Sequence, residues 1–403
     1  MIPLPEARQL VLDRCHRLDP VQVARPQALG CVLAEPIEAR EPVPPFDNTA
    51  MDGFAVRAAD TVGAPRSLAV VGTLAAGSAP DVEVGPGQAL RIMTGAPMPH
   101  GADAIVMVER TRPGETEGTV VVEAEVQSGE HLRRAGDDLR AGQVVFPAGT
   151  VLGPAHLGVL TSVSAETVVV VPRPRVGVIT TGDELVEGAA PLQLGQIRDS
   201  NRPTLLALLQ QSGFVPVDFG VARDDPDVLR EVFARAAGSC DAVLTTGGVS
   251  VGDFDYTKAV LDELSGHTMA WMQVAIRPAQ PFAFGLVEGT PVFGLPGNPV
   301  SSSVSFECFA RPALRQMAGH GDLERPSIEA IADDGLTRRR DGKLHLLRVV
   351  ASFEPDGRAH VRSAGGQGSH QLSALAAANA LALVPDGDGV PPGGSALTWL
   401  LWP

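Results

Sequence analysis

The sequence predicts a multidomain α/β plus β protein: a central doubly wound, mostly parallel sheet, with a β-rich module before it and a small β-barrel or sandwich after it. Two patterns carry that prediction. Between Pro172 and Gly319, short apolar runs alternate with segments of helical periodicity, as strand–crossover–strand units require. On either side the chain is rich in Val, Gly and Pro, with short alternating stretches divided by turn residues.

Taken in order, Met1 to Leu18 reads as a helix, and residues 20–45 and 141–171 bracket the β-rich module closely enough to pair as a connecting domain. The expected divisions are 1–19 (N-terminal helix packing on the central domain), 20–45 with 141–171, 46–140 (β-rich), 172–320 (α/β) and 321–403 (C-terminal). In the central segment Arg175 to Thr180 is an apolar strand. Pro203 to Gln211 then carries Leu205, Leu206, Leu208 and Leu209 at helical spacing behind an Asn201 cap, with Gly213 past its end. Val215 to Val221 reads as a strand, and Pro226 to Ala237 as a helix with Val228, Leu229, Val232 and Phe233 on one face. A strand from Ala242 to Thr245, a helix from Asp255 to Leu264, a short strand Pro291 to Gly294 and a long helix Pro299 to Met317 complete it. Past Pro326, strands are expected at His345 to Ser352, Ala359 to Val361 and Ala380 to Val384, with Pro355-Asp356-Gly357 as a turn.

Three glycine-rich loops interrupt the central pattern: TTGDEL from Thr180, TTGGVSVGDFDYTK from Thr245 and GLPGNPVS from Gly294. Glycine lets backbone approach an anion closely and turn N–H groups toward it, and a following helix N-terminus adds positive potential. Carboxylates in the same loops repel a bare phosphate. Glu184, Asp253 and Asp255 therefore make most sense with a divalent cation, magnesium, between them and a phosphorylated ligand, or as proton carriers. In a doubly wound sheet such loops meet at the carboxyl ends of the strands.

Composition narrows the classes. With 44 glycines and 34 prolines spread over 403 residues, three or four compact units are expected. No apolar run reaches the ~18 residues that span a bilayer, and Met1 to Arg17 does not read as a signal peptide, so a soluble, cytoplasmic protein with no membrane partner is expected. Cys15, Cys31, Cys240 and Cys308 stand singly, which fits four buried thiols rather than disulfides or zinc. A net charge of −15 argues against nucleic acid as a partner. It also means that any anionic ligand needs a locally positive pocket. Only Lys258 and Lys343 are lysines, so that charge is almost wholly arginine, which suits bidentate oxyanion contacts.

With FDNTAMDGFAVR from Phe46, MTGAPMPHGADAIV from Met93 and GGQGSH from Gly365 added to the three loops, the chain closely resembles the molybdopterin molybdenumtransferases (MoeA type, related to the gephyrin E domain) over nearly its whole length. The resemblance implies a Rossmann-like molybdopterin-binding domain, a C-terminal β-barrel and a homodimer whose site lies between subunits. It implies a transferase that inserts molybdate into adenylylated molybdopterin, with magnesium as cofactor and release of AMP. Transient contact with the molybdopterin adenylyltransferase and with apo-molybdoenzymes is implied as well. Carried over by motif, Asp52, Glu184, Asp224 and Asp255 are the catalytic carboxylates, with Asp224 and Asp255 on the metal. Thr94, Thr181, Gly247, Gly248, Ser250, Gly252, Pro296, Gly297 and Asn298 would contact substrate, and Arg277, Arg348 and Ser369 the molybdate. Read without the family, Asp224 is better explained as a helix cap, Asp52 as a turn former and Arg348 as a solvated strand charge.

One loop departs from the family pattern. Where many members carry KPGKP, this chain has Arg277-Pro278-Ala279-Gln280-Pro281, and Gln273 stands where some carry a further lysine. Loss of one charge-assisted contact weakens oxyanion binding by ~1–2 kcal/mol. The departure allows an alternative, a non-catalytic or oxyanion-altered (tungstate) paralogue that holds molybdopterin or the finished cofactor.

Overall fold

The computed structural model describes residues 1–248 and 256–401. The chain divides into two compact units: Met1–Val21, Gly30–Val32 and Val170–Pro403 form the first, Gln22–Leu29 and Leu33–Val169 the second.

The second unit is mostly β, as its alternating Val-rich stretches predict. Its strands β1 (Gly53–Val56), β2 (Arg66–Leu74), β3 (Gln88–Ile92), β4 (Ala104–Met107), β5 (Thr111–Pro113) and β6 (Thr119–Val122) form one sheet in the order β4-β1-β3-β2-β6-β5. Two apolar clusters, one around Val56, Leu68 and Val106 and one around Ala55, Leu90 and Ile105, hold it. Neighbouring residues of β1 and of β4 fall in different clusters because successive strand side chains point to opposite faces. Beyond the sheet, Ile37–Glu38 pairs with Val144–Phe146, so the two ends of the insertion run together.

The first unit begins with α1 (Leu4–Leu12), whose Leu4, Ala7 and Val11 recur at helical spacing and are buried. The α/β part contains β7 (Arg175–Thr181), α3 (Asn201–Gln211), β8 (Val215–Ala222), α4 (Pro226–Ala237), β9 (Ala242–Thr246), α5 (Tyr256–Leu264), β10 (Ala270–Gln273), β11 (Ile276–Arg277), β12 (Pro281–Val287) and β13 (Thr290–Leu295); α2 (Pro154–Ser162) belongs to the other unit. Sheet order is β8-β7-β9-β13-β12-β10. The first four strands are mutually parallel, and β12 and β10 add antiparallel pairs. Alternation decides which helix each strand residue meets. Val176, Val178, Leu244 and Phe293 pack with Leu205 and Leu209 of α3, while Ile179, Val243 and Val292 face Leu229 and Phe233 of α4 and Val260 and Leu261 of α5. A helix on each face makes the sheet doubly wound.

The long helix expected from Pro299 to Met317 forms as α6 (Pro299–Ser305) and α7 (Arg311–Met317), joined by a π-helical turn at Phe306–Ala310. The barrel follows: β14 (Ser327–Ala332), β15 (Leu344–Phe353), β16 (Ala359–Ser363), β17 (Ala380–Val384) and β18 (Ser395–Leu400) close in the order β15-β16-β14-β18-β17 through β15–β17 pairing. The short strand β11 joins its edge in parallel with β15. Closure removes the exposed edges an open sheet would leave, and it settles barrel over sandwich.

Several details differ from the sequence reading. Strands β10, β12, β14 and β18 are additions to the sequence reading, although turn residues such as Gly266, Pro326 and Pro391 to Gly394 precede three of them. Helix α3 starts at Asn201 with Ser200 as its N-cap residue. Val228 is exposed on α4. All four cysteines are free and buried, and burial pushes the Cys15 and Cys308 thiols up to about 12. No helix among the described residues is long and apolar enough to cross a membrane.

Phe293 is fully buried with its ring centroid 5.2 Å from that of Phe284. Phe293→Ala is expected to lower the stability of the first unit by ~3–5 kcal/mol in urea unfolding, whereas Val350→Ala, on an exposed barrel position, should stay within about 0.5 kcal/mol.

Candidate functional site

The carboxyl ends of β7, β9 and β13 converge on a cavity of about 470 Å³. Thr181 and Glu184, Gly247 and Gly248, and Pro296, Gly297 and Asn298 line it, so all three glycine loops meet there. The convergence requires glycine at one position above all. Gly247 has φ +96°, and a Cβ there would lie 2.5 Å from the carbonyl oxygen of Thr181 and 2.8 Å from its hydroxyl. No other residue lets the two strand ends approach so closely.

Hydrogen bonds lock this approach. Asn201, at the start of α3, donates through Nδ2 to the Thr246 hydroxyl (3.0 Å) and to the carbonyl of Gly297 (2.7 Å). Thr246 donates in turn to the carbonyl of Pro296 (3.0 Å), and Thr257 to the hydroxyl of Thr181 (3.2 Å). Below them Asp199 accepts from Thr180 (2.8 Å) and from the guanidinium of Arg202 (3.2 Å). The Asp199-Ser200-Asn201 turn was not among the expected site residues, although it lines the same cavity. Its signal is a run of short polar residues, which reads equally well as a helix cap.

The carboxylates lie at the rim. Asp224 donates its backbone N–H to Asp183 Oδ1 at 3.3 Å. Burial, then the negative charges of Asp183 and Glu184, push its carboxyl above the ordinary aspartate value. The capping role open to Asp224 belongs to its neighbour: Asp225 Oδ1 accepts from the N–H groups of Asp227 (2.9 Å) and Val228 (3.1 Å). Asp224 is thus not taken up as the helix cap. Ser250, Gly252, Asp253 and Asp255 lie outside the described residues. Among the described residues no three His, Cys, Asp or Glu side chains converge as a metal cage. Asp183, Glu184 and Asp224 carry hard oxygen donors of the kind magnesium prefers, without forming a cage by themselves.

Asp52 and Thr94, both in the second unit, are joined to one another. Thr94 donates its backbone N–H and its hydroxyl to Asp52 Oδ1, each at 2.7 Å. These two bonds hold the Asp52 carboxyl below its usual value. The structure therefore couples two residues that the sequence named from separate motifs.

A second cavity, of about 440 Å³, lies in the first unit between the barrel and the Arg277–Pro281 loop. Arg277, Arg338, Arg339, Arg348 and His345 line it, so its wall is rich in cationic side chains. Arg348 is no surface charge. It is fully buried, burial pushes its pKa down, and Nη2 donates to the carbonyls of Gly366 (2.8 Å) and Gly368 (3.2 Å). Its Nε and Nη1 have no partner among the described residues. Gln367 clamps the Arg348 backbone from both sides, and Ser369 accepts from the backbone N–H of Val300 (3.1 Å), which ties the GGQGSH loop to α6. Arg277 donates to Asp341 at 3.1 Å. His345 Nε2 lies 3.0 Å from the same carboxylate, yet burial pushes His345 below the ordinary imidazole value. The two cavities have no lining residue in common, but one loop reaches both: Pro278 lines one and Pro281 the other.

The loop that departs from the family pattern has a cation after all. The Lys343 ammonium donates to Gln280 Oε1, and Gln280 Nε2 donates to Gln273 Oε1 (2.8 Å). Parallel pairing of β11 with β15 sets Ile276 opposite Leu344, which brings Lys343 to this loop.

Comparison with known proteins agrees along the whole chain. Residues 2–164 match the MoeA N-terminal region (domain I and II), 177–316 the "probable molybdopterin binding domain" and 331–401 the MoeA C-terminal region (domain IV). Molybdopterin molybdenumtransferase 2 of Mycobacterium tuberculosis is 39% identical over 394 residues, 96% of either chain. Molybdopterin molybdenumtransferase of Haemophilus influenzae is 38% identical over 381 residues, 94% of this chain and 93% of that protein. The crystal structure of the molybdopterin biosynthesis moeA protein from Pyrococcus horikoshii superposes with a TM-score of 0.80 at 30% identity, covering 99% of this chain and all of that one.

Two substitutions test the first cavity. Gly247→Ala should weaken binding of a molybdopterin ligand about tenfold or more, read by fluorescence titration, because strand ends and backbone must move apart. For Asp224→Asn the sign follows from the raised carboxyl. Its contribution to stability is fully present below the unfolded-state value and is lost as pH rises through the folded-state value. The variant should therefore melt at a higher temperature than wild type at pH 7, with the difference vanishing at acid pH, while turnover falls.

Proposed function

The chain belongs to the MoeA family, and from that premise we propose that it is a molybdopterin molybdenumtransferase that inserts molybdate into adenylylated molybdopterin and releases AMP. The observation that carries this reading is the pair of cavities on one loop: a glycine-lined polar cavity at the strand ends, and an arginine-lined cavity beside it. The first suits a pterin with its phosphate bridge and the second a tetrahedral oxyanion, so the two substrates would be held on either side of Arg277–Pro281.

Thr181, Gly247, Gly248 and Gly297 would let the phosphate bridge approach the backbone, with Pro296 and Asn298 beside it and Ser250 and Gly252 as further contacts. Arg348 and Arg277, with Ser369, would orient molybdate and offset its charge. Magnesium would supply charge neutralisation at the phosphoanhydride, with Asp224 and Asp255 as its ligands. Glu184 and Asp52 are the remaining carboxylates for proton handling, and Thr94 positions Asp52. Holding the oxyanion beside the pterin would lower the barrier to its insertion, with water cleaving the phosphoanhydride so that AMP leaves. The protein would act as a cytoplasmic homodimer, receiving substrate from the adenylyltransferase and delivering product to apo-molybdoenzymes. The Lys343 ammonium on Gln280 supports the insertase over the charge-depleted tungstate or scaffold reading, since the loop keeps a cation.

Purified protein with adenylylated molybdopterin, molybdate and magnesium should release AMP and activate an apo-molybdoenzyme. Chelation of magnesium should suppress both signals. Tight pterin binding without AMP release would overturn the insertase. Arg348→Met should raise the molybdate KM at least about tenfold while pterin affinity holds.

A further inference from the structure

The second cavity owes its charge to an arginine triplet, Arg338-Arg339-Arg340, in the turn that leads into β15. The three side chains have different fates. Arg338 is wholly buried at its side chain and spends its donors on the carbonyls of Arg339 (2.8 Å) and Lys343 (2.7 Å), on Asp341 (3.0 Å) and on Asp386. Arg340 points to solvent and pairs with Asp388, with Nε 2.6 Å from Oδ1. Arg339 lines the cavity, is exposed, and its guanidinium makes no hydrogen bond or ion pair with any described residue.

The other cations of the cavity are committed. Arg277 is held by Asp341, and His345 contacts the same carboxylate while burial pushes its pKa below the ordinary imidazole value. Arg348 lines the wall, gives one nitrogen to two carbonyls, and keeps two donors that are buried from solvent and unpartnered among the described residues. A dianion entering from solvent thus meets first, among the described residues, the one exposed guanidinium of the cavity that has no partner. Its backbone is meanwhile fixed, because the Arg339 carbonyl accepts from Arg338 Nε.

We propose that Arg339 is a substrate-binding residue of this site, the arginine that takes the tetrahedral oxyanion from solvent and holds it against Arg348. The assignment rests on the reading of this cavity as the molybdate site. It needs no movement of the barrel, only reorientation of an exposed side chain, and the charge-assisted contact it forms is of the stronger class. The Arg277–Asp341 pair stays intact in this arrangement, so Asp341 remains the internal counter-charge of the pocket.

Calorimetric titration of molybdate into the full-length wild-type protein and the variants R339Q, R339K and R340Q tests it. R339Q should raise the molybdate Kd about tenfold, R339K should recover part of that loss, and R340Q, which removes the same charge one residue away, should match wild type. Molybdopterin affinity should be the same in all four. If R339Q binds like wild type, or R340Q loses as much as R339Q, the assignment falls and the cavity's role stands. If wild type takes up no molybdate, the reading of the cavity falls and the assignment with it.

Discussion

The closeness of the β7 and β9 ends at Thr181 and Gly247 is the constraint on which the site depends. A Cβ at Gly247 would lie inside van der Waals distance of the Thr181 carbonyl, so this junction exists only because one residue lacks a side chain and adopts positive φ. Once the strand ends meet, the three loops beyond them share one volume, and Asn201 bridges two of them with a single amide nitrogen. Parallel strands put all these ends on one side of the sheet; the helices packed on both faces keep them there.

Charge is partitioned with similar economy. The chain carries a large negative excess, yet one cavity is walled by arginines. Burying Arg348 costs free energy unless its donors are met, and only part of that cost is offset by two carbonyls of the GGQGSH loop. A buried cation with donors to spare is poor structural engineering and good ligand chemistry. The same holds in reverse at Asp224, where repulsion from Asp183 and Glu184 is tolerated at the rim of the other cavity. Both are local sacrifices of stability, carried by the apolar packing on the two faces of the sheet.

The loop between the cavities combines two kinds of structure. Its start, β11, pairs with barrel strand β15, and its end, Pro281, opens β12 of the central sheet. That linkage lets a barrel residue, Lys343, reach Gln280 and makes good in space the positive charge missing from the loop in sequence. A change of residue type along the chain was thus visible before folding, but its compensation was not.

Periodicity and glycine placement alone determined the doubly wound core, the order of its first strands and helices, and the three loops that form the polar cavity. They could do so because apolar spacing reports which face is buried and glycine reports backbone conformation, both local properties. Only the tertiary structure decided the rest. Asp225 rather than Asp224 caps α4, which depends on backbone angles at two adjacent aspartates that look alike in sequence. Arg348 is buried and Arg339 free because a closed barrel turns one inward and leaves the other at a cavity mouth, and closure is a pairing of strands β15 and β17 some thirty residues apart. Asp52 and Thr94 became one unit for the same reason: hydrogen bonds between distant segments follow from where strands are placed, and a linear pattern does not encode that placement.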